Sequence, residues 1–160
     1  MRWIFVDRLL EIKKGKYAKA IKNISMGEDH LHDHFPLFPV MPNTLIIEAL
    51  AQTGGILAGL SHDFKNMVIL AKIEKATFHD MATPGDQLIL EAEIVEDREE
   101  GCRITGRANL NGKRLADVSI LFVNLDTSEM NSSVDSYVFT RQFLALLGVD
   151  KVLAEIPESK

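Results

Sequence analysis

Two side chains in this sequence have the type and setting to move protons. His34 lies in a loop that holds three of the chain's five prolines, at positions 36, 39 and 42. Proline fixes its own backbone angle and restricts the residue before it, so such a loop holds its shape and presents side chains in fixed directions. Glu48 is the single charge in the apolar run from Leu45 to Leu60. A neutral imidazole suits a general base, because it titrates near neutrality. A carboxyl group in apolar surroundings favours its protonated form and suits a general acid. Thr44 and Gln52 stand one helical turn before and after Glu48, which makes a narrow polar stripe at i, i+4 spacing. A purely structural Glu48, hydrogen-bonded within its own fold or to a neighbouring subunit, is the competing reading of the same pattern.

His30, His32 and His34 alternate, so an extended backbone would point all three to one side. Histidine is a common metal ligand, and a metal site is one reading of this spacing. The segment falls one residue short of the H-x-H-x-D-H pattern of metallo-hydrolases, and only His62 and His79 remain as later histidine ligands. The other readings are solvated loop histidines or a single catalytic base, and no metal or cofactor is expected. The chain carries no G-x-S-x-G nucleophile elbow, no G-x-x-x-x-G-K phosphate loop and no G-x-G-x-x-G.

The elements that would position these residues follow from periodicity. Residues 44–60 predict a helix with Asn43 or Thr44 as its N-cap, just after Pro42. Its apolar residues cover nearly every face, so burial on all sides is expected. Gly54 and Gly55 cost helix stability and let another backbone approach closely. From residue 88 the period becomes two. Leu88, Leu90, Ala92 and Ile94 alternate with polar residues, as do Ile104, Gly106, Ala108 and Leu110. Pro84-Gly85-Asp86 introduces the first of these strands and Glu99-Glu100-Gly101 separates the two. Asn111-Gly112 is a two-residue hairpin turn signal. Residues 114–124 are apolar on both faces and predict a central or interface strand. A weaker hairpin is predicted in residues 3–25 around Lys13-Lys14-Gly15-Lys16, and a further strand within 67–79. The class is α+β: an antiparallel sheet wrapped around one long helix. Residues 1–126 form the expected domain. Residues 127–160 form a polar linker and a helical extension over 137–155, whose apolar face is expected to cover a sheet edge or bind a partner subunit.

Bulk properties narrow the function. With 160 residues and 46% hydrophobic residues, the chain suits one domain with a real core. The formal net charge of −5 argues against a general nucleic-acid binder, which needs a basic stripe for phosphates. A single cysteine, Cys102, rules out an intrachain disulfide and fits a reducing compartment. The charged start from Arg2 to Arg8 is unlike a signal peptide. The run from Leu45 to Leu60 is short for a membrane span, and Glu48 would be costly there. A cytoplasmic protein is expected.

The stretch from His34 to Gln52 reads H-F-P-L-F-P-V-M-P-N followed by T-L-I-I-E-A-L-A-Q. It resembles the 3-hydroxyacyl-acyl-carrier-protein dehydratases of bacterial fatty acid synthesis, whose motif is H-F-P-G-x-P-V-M-P-G and then an apolar helix with E-A-x-A-Q. Phe78 to Leu88, with Pro84-Gly85-Asp86, resembles the same family, and the likeness covers about residues 1–125. It implies the hot-dog fold, and a homodimer or a hexamer built as a trimer of dimers, with sites shared between chains. His34 of one chain would face Glu48 of the other. The Val40 carbonyl would orient the His34 ring, Gln52 would support Glu48, and the Asn43 N–H would hold the thioester carbonyl. Leu37, Phe38, Met41 and Leu45 would border the acyl tunnel. The implied reaction is loss of water from a 3-hydroxyacyl thioester on acyl carrier protein, with His34 as base and Glu48 as acid.

Two glycines of the motif are replaced, by Leu37 and Asn43. Asn tolerates left-handed backbone angles; Leu is strained wherever φ is positive, and its side chain would crowd the acyl entrance. His79 and Asp80 stand where family members often carry two basic residues for carrier docking, with Lys65, Lys72 and Lys75 as possible substitutes. A hot-dog thioesterase, a non-catalytic acyl-binding subunit and a metal hydrolase are the competing functions.

Overall fold

A computed structural model describes residues 3–125 and 141–154. Six strands form one antiparallel sheet: β1 (Arg8–Lys13), β2 (Tyr17–Asn23), β3 (Met67–Phe78), β4 (Gln87–Arg98), β5 (Gly101–Leu110) and β6 (Lys113–Leu125). Their order across the sheet is β1-β2-β4-β5-β6-β3. The helix α1 (Asn43–Ser61) connects the first hairpin to β3 and packs on the sheet, touching every strand. This is the helix-in-sheet arrangement that the change of period implies.

Alternation sets the inward face of the sheet. Leu88, Leu90 and Ala92 of β4, and Cys102, Ile104 and Ala108 of β5, are buried against α1, while their neighbours face outward. β6 lies between β5 and β3, the interior position expected of a strand apolar on both faces. Asn111 and Gly112 have φ of 51° and 77°, the two positive angles of a type I′ turn. Gly15 closes the first hairpin with φ 71°, and Lys16 N–H donates to the Lys13 carbonyl.

Gly54 does bring neighbours close, though the approach is by side chains. A Cβ there would lie 3.2 Å from Ile104 Cδ1 and 3.4 Å from Phe122 Cε2. Gly106 of β5 faces Leu50 in the same way, at 3.2 Å from its Cβ. The helix therefore settles into the sheet at a depth that alanine at either position would oppose.

By length and composition α1 could cross a membrane, yet 67% of its most apolar window is buried inside the protein. Burial on all sides, however, holds only from Ala49 onward, Gln52 excepted. Asn43 and Thr44 are exposed, and Leu45, Ile47 and Glu48 are half-buried. The sheet curls around the later turns of α1, and of the first turn only Ile46 is fully buried. The N-cap is Pro42, with no side-chain cap, so neither Asn43 nor Thr44 fills that role. Pro42, with φ −54° and ψ 136°, turns the chain into the helix. Its carbonyl accepts from the N–H groups of Leu45 and Ile46.

The C-terminal extension contains two short helices, α2 (Arg141–Leu146) and α3 (Val149–Ala154), where one helical stretch over 137–155 was expected. Gly148, with φ 74°, separates them. The expected linker and the rest of the tail lie outside the described residues. Phe143, Leu147 and Val149 join the core, and Leu9 N–H of β1 donates to the Leu147 carbonyl. The extension thus covers the β1 edge of the sheet. At the opposite edge, β3 is exposed from Ala71 to Ala76 on both faces.

Cys102 is 2% exposed, and burial, with a smaller contribution from Asp97, pushes its thiol up to about 11. The thiolate is the reactive form. Iodoacetamide at about pH 8 is therefore expected to leave the native protein unlabelled and to alkylate Cys102 once urea unfolds it. Mass spectrometry reads both states, and rapid native labelling would contradict the buried placement.

Candidate active site

The proline-rich loop is held by two reciprocal pairs of hydrogen bonds, one wholly between backbone groups and one that includes a side chain. Phe35 and Phe38 exchange theirs at 3.1 and 2.9 Å, and the Val40 N–H donates to the His34 carbonyl at 2.9 Å. The His34 side chain completes the second pair, with its Nδ1 3.1 Å from the Val40 carbonyl oxygen. A carbonyl can only accept, so Nδ1 carries a proton, and in the neutral ring the Nε2 lone pair is then the free one. The imidazole is thereby fixed as the tautomer a general base needs. Phe35 stacks on the ring at 4.3 Å. Met41 N–H donates to the Ala82 carbonyl and ties the loop to the segment before β4.

Within the turn Phe35-Pro36-Leu37-Phe38, Pro36 takes the second position and Leu37 the third, with φ 97°. A type II turn has that pattern and favours Gly third, which explains the family's glycine. Leu37 gains nothing from packing there, since it is fully exposed. Leu37→Gly is expected to stabilise the protein by about 0.5–1 kcal/mol, the relief of left-handed strain less the added entropy of glycine. Urea denaturation checks this; a lower midpoint would mean that the turn is not left-handed in solution. Position 43 is different. Asn43 is the first helical residue and is not among the positive-φ positions, so its replacement of glycine involves no left-handed backbone.

A cleft of about 350 Å³ joins His34, Phe35, Val40, Met41, Pro42, Asn43, Thr44 and Met81. The amides of Asn43 and Thr44 open α1 and have no partner among the described residues. Helix geometry leaves these first N–H groups free, and the helix dipole adds positive potential to them. The cleft therefore sets an imidazole beside N–H donors that could hold a developing oxyanion. Of the expected tunnel residues, Met41 lines this cleft, while Leu37 and Phe38 stand exposed outside it and Leu45 packs on the core.

Glu48 does not line the cleft, and among the described residues nothing bonds it to His34 of its own chain. Its Oε1 accepts a 2.9 Å hydrogen bond from Gln52 Nε2, which realises the i, i+4 stripe. Nothing in the sequence marks Met81, or the Trp3–Phe5 segment that also contacts Gln52.

The other histidines part from His34. The loop is not extended where they lie: a 3-10 turn spans Asp29–Leu31, and His32 follows in helical conformation. His30 turns inward, edge-on to Phe5 at 5.9 Å and 3.4 Å from Glu28 Oε2. Burial favours its uncharged form. His32 is exposed. His62 pairs with Asp97 and His79 with Asp117, each at 3.0 Å. Among the described residues no three His, Cys, Asp or Glu side chains are placed to hold a metal ion.

A family model described as a FabA-like domain matches residues 2–119. Over 119 residues the chain is 41% identical to a 3-hydroxyacyl-acyl-carrier-protein dehydratase FabZ of Lawsonia intracellularis, covering 72% of this chain and 78% of that protein. A FabZ of Halalkalibacterium halodurans is 39% identical over 121 residues, covering 75% and 86%. Among solved structures, the dehydratase heterocomplex ApeI:P of Xenorhabdus doucetiae matches with a TM-score of 0.57 at 19% identity, covering 72% of this chain and 98% of that one. The smu.793 protein of Streptococcus mutans, bound to acetyl CoA, matches with a TM-score of 0.64 at 11% identity, covering 79% and 94%. At these identities the structures speak to the fold, which is the hot-dog fold.

Proposed function

The chain belongs to the family of FabA-like domains, and from that premise we propose how its cleft dehydrates a 3-hydroxyacyl thioester. The reaction is that of its FabZ relatives: water is lost from 3-hydroxyacyl-acyl-carrier-protein in fatty acid synthesis, leaving the 2-enoyl thioester. The observation that supports the residue roles best is the His34 ring, locked through Nδ1 onto the Val40 carbonyl beside the free amides that open α1.

In this reading the thioester carbonyl sits against the Asn43 N–H. Nε2 of His34 removes the α-proton, and the charge that develops on the carbonyl oxygen is stabilised by the amide and the helix dipole. The carboxyl of Glu48 protonates the 3-hydroxyl, which leaves as water. Met41 and Met81 give the start of the acyl chain an apolar wall, with Phe38 and Leu37 at the mouth.

A complete site needs two chains, since Glu48 lies away from its own chain's His34 cleft. The half-buried first turns of α1 and the exposed β3 edge are the surfaces that a second protomer would cover. The same reading takes residues 1–126 as the catalytic domain and 127–160 as an extension. It gives the enzyme a cytoplasmic location and an acyl carrier protein as partner.

The test is to incubate the purified protein with 3-hydroxyacyl thioesters of several chain lengths and to follow products by mass. A 2-enoyl thioester lighter by one water is the expected product. Release of free thiol with a 3-hydroxy acid would instead identify a thioesterase.

A further inference from the structure

The Gln52 amide makes three hydrogen bonds, and only one of them serves Glu48. Its Oε1 accepts the Phe5 N–H at 2.9 Å. Its Nε2 donates to the Trp3 carbonyl at 2.8 Å and to Glu48 Oε1 at 2.9 Å. Only one orientation of the amide satisfies all three contacts. Flipped, it would set its carbonyl against two acceptors and its NH₂ against a donor. Left to itself, a glutamine on a helix surface could turn either end toward its neighbour. The backbone of Trp3 and Phe5 removes that freedom, one group for each end.

This segment is itself anchored. Phe5 is buried at 5% exposure and packs against Trp3 at 5.8 Å and His30 at 5.9 Å. Just beyond it, Asp7 N–H donates to the Ile21 carbonyl of β2.

We propose that the Trp3–Phe5 segment is a positioning strap, which acts through the Gln52 amide to keep a hydrogen-bond donor permanently on the Glu48 carboxyl group. The inference rests on the catalytic reading of Glu48 given above. With the strap in place, Oε1 of Glu48 is occupied, so Oε2 is the oxygen left to carry and deliver the acid's proton. Without it, the amide rotates and the carboxyl loses both its fixed rotamer and its donor.

Phe5→Pro removes the N–H while leaving the Gln52 side chain in place. It is expected to lower kcat about tenfold, the scale of one hydrogen bond to a charged group. KM should change less than twofold, since the strap acts on the carboxyl group and not on the substrate. Phe5→Leu, which keeps the N–H, should restore most of kcat, and Ile4→Val serves as a control for packing. In a Gln52→Met background Phe5→Pro should have no further effect on kcat, because the strap then has nothing to act on.

Should Phe5→Pro not fold, as judged by circular dichroism and gel filtration, Trp3→Gly replaces it. That variant removes an exposed side chain and frees the strap, so kcat should fall with KM little changed, and the loss should vanish in the Gln52→Met background. Additive losses in the Gln52→Met background, or a kcat unchanged by Phe5→Pro, would overturn the strap. Dehydration undiminished in Glu48→Gln would instead overturn the catalytic reading of Glu48 on which it rests, so the two failures are distinguishable.

Discussion

His34→Ala is expected to lower kcat for dehydration by about 10³-fold while the fold persists. General base catalysis contributes about 10² to 10⁴, and no other described side chain in the cleft can take a proton at neutral pH. The loop should survive, because the paired bonds between Phe35 and Phe38, and the bond from Val40 N–H to the His34 carbonyl, do not involve the imidazole. The side chain supplies one hydrogen bond, to the Val40 carbonyl, and a stacking contact with Phe35. Thermal melting should therefore move by only a few degrees, while steady-state turnover of a 3-hydroxyacyl thioester collapses. Tight binding of the substrate should remain, since the Asn43 and Thr44 amides and the apolar wall are untouched. Wild-type turnover in this variant would remove His34 from the chemistry.

The second large effect comes from mixing two inactive proteins. Glu48→Gln should also lose most activity, because the amide cannot protonate the leaving hydroxyl. If each site combines His34 of one protomer with Glu48 of the other, a mixed dimer of the two variants holds one doubly damaged site and one intact site. Random reassociation makes about half the dimers mixed, each with one of its two sites working, so about one quarter of wild-type activity should return. Refolding the two variants together, or co-expressing them, provides the sample, and turnover gives the answer. No recovery, from mixtures shown by mass to contain mixed dimers, would place both groups in one chain. The structure motivates this arrangement through two surfaces: the half-buried start of α1 around Glu48, and the uncovered edge of β3. A carboxyl group on such a surface becomes buried only when a second chain covers it.

Carrier docking is the part of the function for which these residues depart furthest from the family pattern. His79 is engaged with Asp117 and Asp80 is acidic and exposed, so neither offers a free positive charge beside Met81. Lys72 and Lys75 are exposed on β3, and Lys65 is exposed between α1 and β3.

Much of the site could be read directly from local sequence. The H-F-P motif with its prolines identified a stiff loop, and the E-A-L-A-Q spacing paired Glu48 with Gln52 through helix geometry. Both are short-range facts, carried within one or two turns of chain. The hairpin at Asn111-Gly112 is equally local, since two positive φ angles are needed and those residues tolerate them. Even the strain at Leu37 follows from local turn chemistry, because Pro36 fixes the second position and leaves Leu37 third.

Other features depend on which distant segments meet. The histidine triplet looked collinear by spacing, but a 3-10 turn at Asp29–Leu31 sends His30 inward against Phe5, 25 residues earlier. Asn43 looked like a cap or a left-handed position, and Pro42 ends up capping the helix instead. The apolar pattern of α1 implied burial all round, yet of its first six residues only Ile46 is fully buried. Gln52 pointed to Glu48 by spacing alone, but its grip on the Trp3 and Phe5 backbone spans 49 and 47 residues. The sequence by itself determined the chemistry available and the local geometry that presents it, because residue type and neighbouring backbone angles settle those. Only the tertiary structure decided what surrounds each group, because burial and long-range hydrogen bonds arise when the sheet closes on the helix.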